Sequence, residues 1–423
     1  MVCPMSASRT LRACYLGITV LALVANLAPP LFIPLRAAFD LTFEQLGRMV
    51  FLGFVTLLIF NLLPGPFVDR WGAKPFLLAA QVVTLIGLVV FAFPDRLFPS
   101  SPYTGLVCGA VLLSMGAGIL ELVLSPLVST VSTERKSASM SLLHAFYAIG
   151  QFSVVLVTAL AIWLGAPWRV IVLSWSLLPL AALIAFASVE IPRLVAEEHR
   201  QKLRHLVRKP VYLAAVAGIM LAGASEMAVS QWISTYAEKG LHVPKIVGDL
   251  GGLCAFAVML GAARLWMGLQ TTGTDLMNRA LPISCVVTMV AYLTATLAPV
   301  PWIALPACAF AGIGIGLLWP GMLVITLRHF PRGGASMFAL LTSAGNLGCA
   351  LAPWVVGMVA DGVAAMPQAP PFMERFDIHL TPEQLGLRSG MLVAVIAPVA
   401  LFFLVRRLIA LAPSSVPSDG QPR

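Results

Sequence analysis

Three ionisable residues stand in stretches where ionisable residues are expensive. Glu121 lies in the apolar run Leu106–Val131, within Gly116-Ala-Gly-Ile-Leu-Glu121-Leu-Val-Leu-Ser-Pro126. Glu226 and His144 lie in two further apolar runs, 211–237 and 137–164. A charge at a bilayer centre costs about 2.5–3.5 kcal/mol on insertion scales, so such a residue normally faces a cavity or a partner. In low-dielectric surroundings a carboxylic acid is carried most cheaply in its neutral form. A group that gains and loses a proton there can couple to a proton gradient. Glu121 is the first candidate for that chemistry; the competing reading is a protonated strut hydrogen-bonded between helices. Glu226 can serve as a solute ligand or a second proton site. His144 can relay protons to Glu121, although a packed, hydrogen-bonded histidine is the favoured reading.

Polar and amphipathic groups accompany these three. Tyr147 and Gln151 follow His144 at helical spacing and share its face. Asn26, Gln231, Trp232, Trp319 and Asn346 stand in other apolar runs. Hydrogen-bonding side chains beside Tyr and Trp rings suit a sugar or polyol, whereas each one alone also serves as packing glue or an interface anchor. The seven cysteines form no CxxC and pair with no nearby His, so they read as small core residues, and neither metal nor cofactor is expected. No GxxxxGK[ST] pattern and no large polar domain exist to hold a nucleotide, which argues against an ATP-driven pump. No catalytic cluster emerges either, so the chain is not expected to be an enzyme.

The elements that position these residues follow from composition. Hydrophobic residues make up 59% of the 423 and charged residues 11%, against about 25% charged in soluble domains. The chain is therefore expected to be an integral membrane protein, all-α, with the bilayer and a small solute as partners and no nucleic acid. Its net charge of +9 fits basic loops on one membrane side. Apolar runs predict twelve spans near 12–36, 44–67, 75–94, 103–130, 137–164, 168–189, 211–237, 247–270, 279–298, 302–327, 335–361 and 386–408. The stretch after Arg9 and Arg12 is too long and too rich in proline for a cleaved signal peptide, so it is taken as the first span.

A polar segment, Glu190–Pro210, divides the chain into an N-terminal six-helix bundle (1–189), a linker (190–210) and a C-terminal six-helix bundle (211–423). With both termini placed in the cytoplasm, most Lys and Arg fall on the inner side, among them Arg70, Lys74 and the basic linker. The halves echo each other: Ala138-Ser-Met140 opens the fifth span and Ala335-Ser-Met337 the eleventh. Gly116-x-Gly118 in the fourth span matches Gly312-x-Gly314 in the tenth. A parallel six-helix repeat places a binding site between the halves near the midplane.

Between the second and third spans stands Gly65-Pro-Phe-Val-Asp69-Arg70-Trp-Gly72-Ala-Lys74. Gly65 would let helices approach, Gly72 a tight turn, and Asp69 could pair with a base or face a helix N-terminus. This stretch resembles the GxxxDRxGxK loop of the major facilitator superfamily, which implies alternating access of two halves and a gating role for Gly65, Asp69, Arg70, Gly72 and Lys74. The second-half copy is degraded, but Arg264 lies just before it. Arg264 is expected to snorkel to the cytoplasmic face or, alternatively, to act as a gate or anion contact.

Leu31-Phe-Ile-Pro34, the Asp69-Arg70 loop and Gly118-Ile-Leu-Glu121-x4-Pro126 are similar to the fucose-permease-like branch of that superfamily. The resemblance implies sugar:proton symport by a monomer in a cell (inner) membrane, with Glu121 at the protonated position of the fourth span. Two positions depart from the branch. Pro30 stands where an acid is found in the first span, and Leu122 with Ser125-Pro126 replaces the Thr and Asn-Pro that follow the fourth-span acid. The proton-coupling pair is thus incomplete, with Glu226 as the candidate second carboxylate. Export of amphipathic compounds, uniport and a non-transporting receptor are the alternatives.

Overall fold

A computed structural model of the chain describes residues 4–132, 136–192, 207–269, 273–330, 334–366 and 380–411. Twelve helices in it are long and apolar enough to cross a membrane. They are α1 (Ser8–Asn26), α2 (Phe43–Leu62), α3 (Ala73–Ala92), α4 (Pro102–Val131), α5 (Leu142–Trp163) and α6 (Trp168–Ala187), followed by α7 (Pro210–Gly240), α8 (Lys245–Met267), α9 (Leu276–Leu297), α10 (Pro301–His329), α11 (Met337–Ala364) and α12 (Pro382–Ala410). No strand occurs among the described residues.

Prolines correct two of the expected spans. The first was expected to run through residue 36, but α1 ends at Asn26 and the chain restarts as a helix over Ala28–Phe39, with Pro29 and Pro30 in its first turn. Proline lacks an N–H to donate, so a first turn is where a helix tolerates it. The second span stops at Leu62, and Pro64 precedes a separate short helix, Gly65–Trp71. Elsewhere, local signals set the ends as the residue types dictate. Thr42 and Gln45 form a reciprocal capping box at the start of α2, and Thr381 and Gln384 form another at the start of α12.

Helix packing repeats with a period of six helices. α1 packs on α4, α5 and α6, and α7 packs on α10, α11 and α12. Likewise α2–α4 recurs as α8–α10, α3–α4 as α9–α10, and α3–α6 as α9–α12. The main contacts between the first six helices and the last six are α2 with α11 and α5 with α8, two pairs that the same repeat interchanges. One apolar core runs from Leu27, Phe32, Phe43 and Leu46 across into Trp232, Ile233 and Val356, joining the halves at the end where α1 finishes and α2 begins. A second core, including Leu77, Leu120, Leu124 and Phe186, is confined to the first six helices. The bundle is thus fused at this far end. Large side chains such as Leu164, Leu177 and Trp302 stand exposed around it, as a lipid-facing surface requires.

Candidate functional site

Two close backbone approaches build the far-end seal. A Cβ on Gly47 of α2 would sit 2.7 Å from the Pro353 carbonyl of α11, and one on Gly357 of α11 would sit 2.5 Å from the Phe43 carbonyl. Only glycine lets α2 and α11 meet so closely. Trp232 fills the space beside them, fully buried, with its indole Nε1 donating to the Pro353 carbonyl at 3.0 Å. Its ring lies 5.4 Å from Phe32 and 5.7 Å from Phe43. Gln231 is also buried and donates to the Ala25 carbonyl of α1 at 3.3 Å. Trp354 Nε1 donates to Glu44 at 2.8 Å, and Arg36 pairs with Glu383. Trp232 and Gln231, expected as solute ligands, stand in the seal, where the Trp232 indole N–H and the Gln231 amide N–H are both taken by main-chain carbonyls.

Below the seal, both halves contribute to a central cluster. Glu121 of α4 is partly buried, and Asn346 of α11 donates to its Oε1 across a long 3.5 Å. Asn61, near the end of α2, also stands beside the Glu121 carboxylate. Asn26 donates to the Ala22 carbonyl at 2.9 Å and stands beside Tyr147 of α5. Arg264 of α8 pairs with Glu226 of α7 at 2.9 Å and donates through Nε to the Gly316 carbonyl of α10 at 3.3 Å. The charges of Glu121, Glu226 and Arg264 all act on Tyr147 and on Cys349 of α11, which places these residues around one centre. Trp319 of α10 lies with its ring against Gly345, next to Asn346.

Several expectations change here. Arg264 does not snorkel to the cytoplasmic face: the carboxylate of Glu226 and a main-chain carbonyl draw its guanidinium inward. Glu226 is accordingly an ion-pair partner and not an isolated acid. His144 is exposed, not packed in a core, and feels the charge of Arg264. Gln151, on the same helix face, is buried.

The loop between α2 and α3 positions its residues by turn chemistry. Gly72 takes a φ of +82°, which L side chains rarely adopt, and so ends the short helix as expected. Gly65 mediates no close approach, since a Cβ there would meet nothing within 4 Å. Lys74 donates to the Ala187 and Val189 carbonyls at 3.0 and 2.8 Å, capping the C-terminal end of α6. Arg70 is exposed, and the side chain of Asp69 lies outside the described set. Most of the 190–210 linker, residues 193–206, also lies outside the described residues.

Asn61 and Glu44 did not stand out in the sequence, and Cys349 did so only as one of seven small core residues. Asn61 carried a usable signal, a lone amide in an apolar run. Glu44 and Cys349 gain meaning only from the helices that face them.

A family model described as the Major Facilitator Superfamily matches residues 14–353. The chain belongs to that superfamily. No curated protein sequence matches it. Among solved structures it is similar to a bacterial homologue of the human lysosomal transporter Spinster in an inward-facing, occupied conformation, with TM-score 0.78 and 14% identity over 98% of this chain and 100% of that one. A D-xylose–proton symporter follows at TM-score 0.70 and 17% identity, over 92% and 96% of the two chains. The fucose:proton symporter of E. coli gives TM-score 0.59 and 15% identity, over 95% and 99%. At these identities the likeness is one of fold: twelve helices of the major facilitator type. Membership of the superfamily makes this chain a transmembrane transporter.

Proposed function

We propose that this chain is a secondary active transporter of a small organic solute, driven by protons at Glu121 and working by alternating access of two six-helix halves, 1–189 and 211–423, joined by the 190–210 linker. One observation carries the reading: the only polar contact of Glu121 with the other half, among the described residues, is the 3.5 Å bond from Asn346. When the halves rock, that contact between α4 and α11 must lengthen or shorten. A carboxyl group whose partner depends on the conformational state is what couples proton occupancy to access. The proposed setting is a cell inner membrane with both termini cytoplasmic, which the distribution of Lys and Arg supports.

Sugar:proton symport draws support from fold likeness to the D-xylose and fucose symporters. It draws less from the site, where Trp232 and Gln231 are committed to the seal.

Purified protein in liposomes tests the coupling. With Glu121→Gln, solute uptake driven by a pH gradient is expected to fall at least tenfold while counterflow persists. Unchanged gradient-driven uptake would remove Glu121 from the mechanism, and absence of any flux in the wild type would favour a receptor.

A further inference from the structure

Arg264 is held by two of its nitrogens and offers the rest. Nη2 binds Glu226 at 2.9 Å and Nε binds the Gly316 carbonyl at 3.3 Å, while Nη1 makes no hydrogen bond to a described residue. The Arg264 side chain is 35% exposed, whereas that of Glu226 is 12% exposed. The open surface of the pair therefore belongs to the cation. A guanidinium fork carries five N–H donors, so the end formed by Nη1 and the second Nη2 hydrogen remains able to take a carboxylate in two parallel bonds.

A second feature lies outward of this pair. A cavity of about 60 Å³ opens between α1, α2 and α4, lined by Val24, Met49, Val50, Phe54, Leu113 and Ser114 and closed on the α7 side by Gln231. Gln231 follows Glu226 by five residues on α7, about 7.5 Å along a helix. Apart from Ser114 and Gln231 the lining is apolar, so it offers a sugar few partners for its hydroxyls, and a buried hydroxyl without a partner is costly. An alkyl chain suits such a lining.

The geometry points to an amphipathic organic anion as the solute: a carboxylate on the free end of the Arg264 fork, with its alkyl chain reaching the apolar cavity. Glu226 is then a positioning residue, holding the guanidinium at the centre. A cationic solute would have to sit against Arg264 and is disfavoured by like-charge repulsion. This inference rests on reading the central cluster as the solute site.

The test uses the full chain in detergent and a matched probe set of acetate, butanoate, hexanoate, hexanol, hexylammonium and D-xylose, read by thermal shift and equilibrium dialysis. Binding is expected to tighten about fourfold per added methylene from acetate to hexanoate, with hexanol, hexylammonium and D-xylose at least tenfold weaker than hexanoate. Arg264→Gln is expected to weaken hexanoate at least tenfold, and Arg264→Lys less. Because Arg264→Gln strands Glu226, the paired variant Arg264→Gln/Glu226→Gln serves as the folding control and is expected to lose hexanoate equally. Ala110 of α4 also lines the cavity, and Ala110→Leu, which narrows it, is expected to weaken hexanoate while sparing acetate. Wild-type affinity for hexanoate in the paired variant, or tighter binding of D-xylose than of hexanoate, would overturn the proposal. The two readings fail separately. Hexanoate binding with Glu121-independent uptake removes only proton coupling, whereas Glu121-dependent uptake of D-xylose without hexanoate binding removes only the anion.

Discussion

The Asp361 carboxylate on α11 accepts a hydrogen bond from the main-chain N–H of Glu44 on α2 at 2.6 Å. Glu44 stands in the first turn of α2, where unpaired N–H groups and the helix dipole favour an anion. One half of the protein thus caps a helix of the other. The Glu44 side chain returns the link by accepting from Trp354 Nε1, so opening this end must break both bonds.

A charge-assisted bond of this kind is worth about 1.5–3 kcal/mol. Asp361→Ala is expected to shift the resting population toward a state open at the far end by about tenfold or more. The readout is the rate at which a membrane-impermeant maleimide modifies Ser114→Cys in a Cys108→Ser background. An unchanged rate would deny Asp361 a latching role.

Gly348 of α11 packs against the Met220 carbonyl of α7, whereas a Cβ on Gly261 of α8 would meet nothing within 4 Å. Gly348→Ala should therefore force α7 and α11 apart, at a cost of about 1–3 kcal/mol or more. Gly261→Ala should be neutral, or stabilising by up to about 1 kcal/mol through helix propensity. Thermal unfolding in detergent compares them, and equal midpoints would contradict the assigned packing.

Lys74 binds carbonyls at the end of α6 in its own half. Lys74→Met is expected to lower stability by about 1 kcal/mol, with Lys74→Arg retaining most of it. Loss of transport in Lys74→Met at unchanged thermal stability would return this residue to a purely gating role.

Asp95, in the short helix Pro94–Leu97 between α3 and α4, pairs with Arg169 at 2.8 Å. Desolvation pushes its carboxyl upward, but the hydrogen bond from Arg169 and neighbouring main-chain groups outweigh it and hold the acid below its usual range. A carboxyl depressed in the folded state stabilises above the unfolded value of about 3.9 and loses that contribution as pH falls through the folded value. The pair is partly exposed, so its worth is at most about 1 kcal/mol. Asp95→Asn should be slightly less stable than wild type at pH 7, with the difference shrinking as pH falls below about 4. A difference that stays constant as the acid titrates would point to a packing effect.

Hydropathy and charge bias are local quantities, and they were enough for the twelve helices and the position of Glu121 within the fourth; the transporter class rested on the resemblance of the Gly65–Lys74 loop to the superfamily's motif. The same local reading did not foresee the surroundings of Arg264, Trp232 and His144. For a side chain in an apolar run, the alternatives of lipid, packed core and open cavity differ only in what stands opposite. Arg264 turns inward because Glu226 and the Gly316 carbonyl face it from two other helices. Trp232 is spent on closure because Pro353, Phe32 and Phe43 converge on it. The sequence by itself determined that this chain crosses a membrane twelve times and carries acids there, since burial of apolar runs depends on each helix alone. The tertiary structure decided which acid meets an amide, which meets a base and which end of the bundle is shut, since those outcomes depend on contacts between helices far apart in the chain.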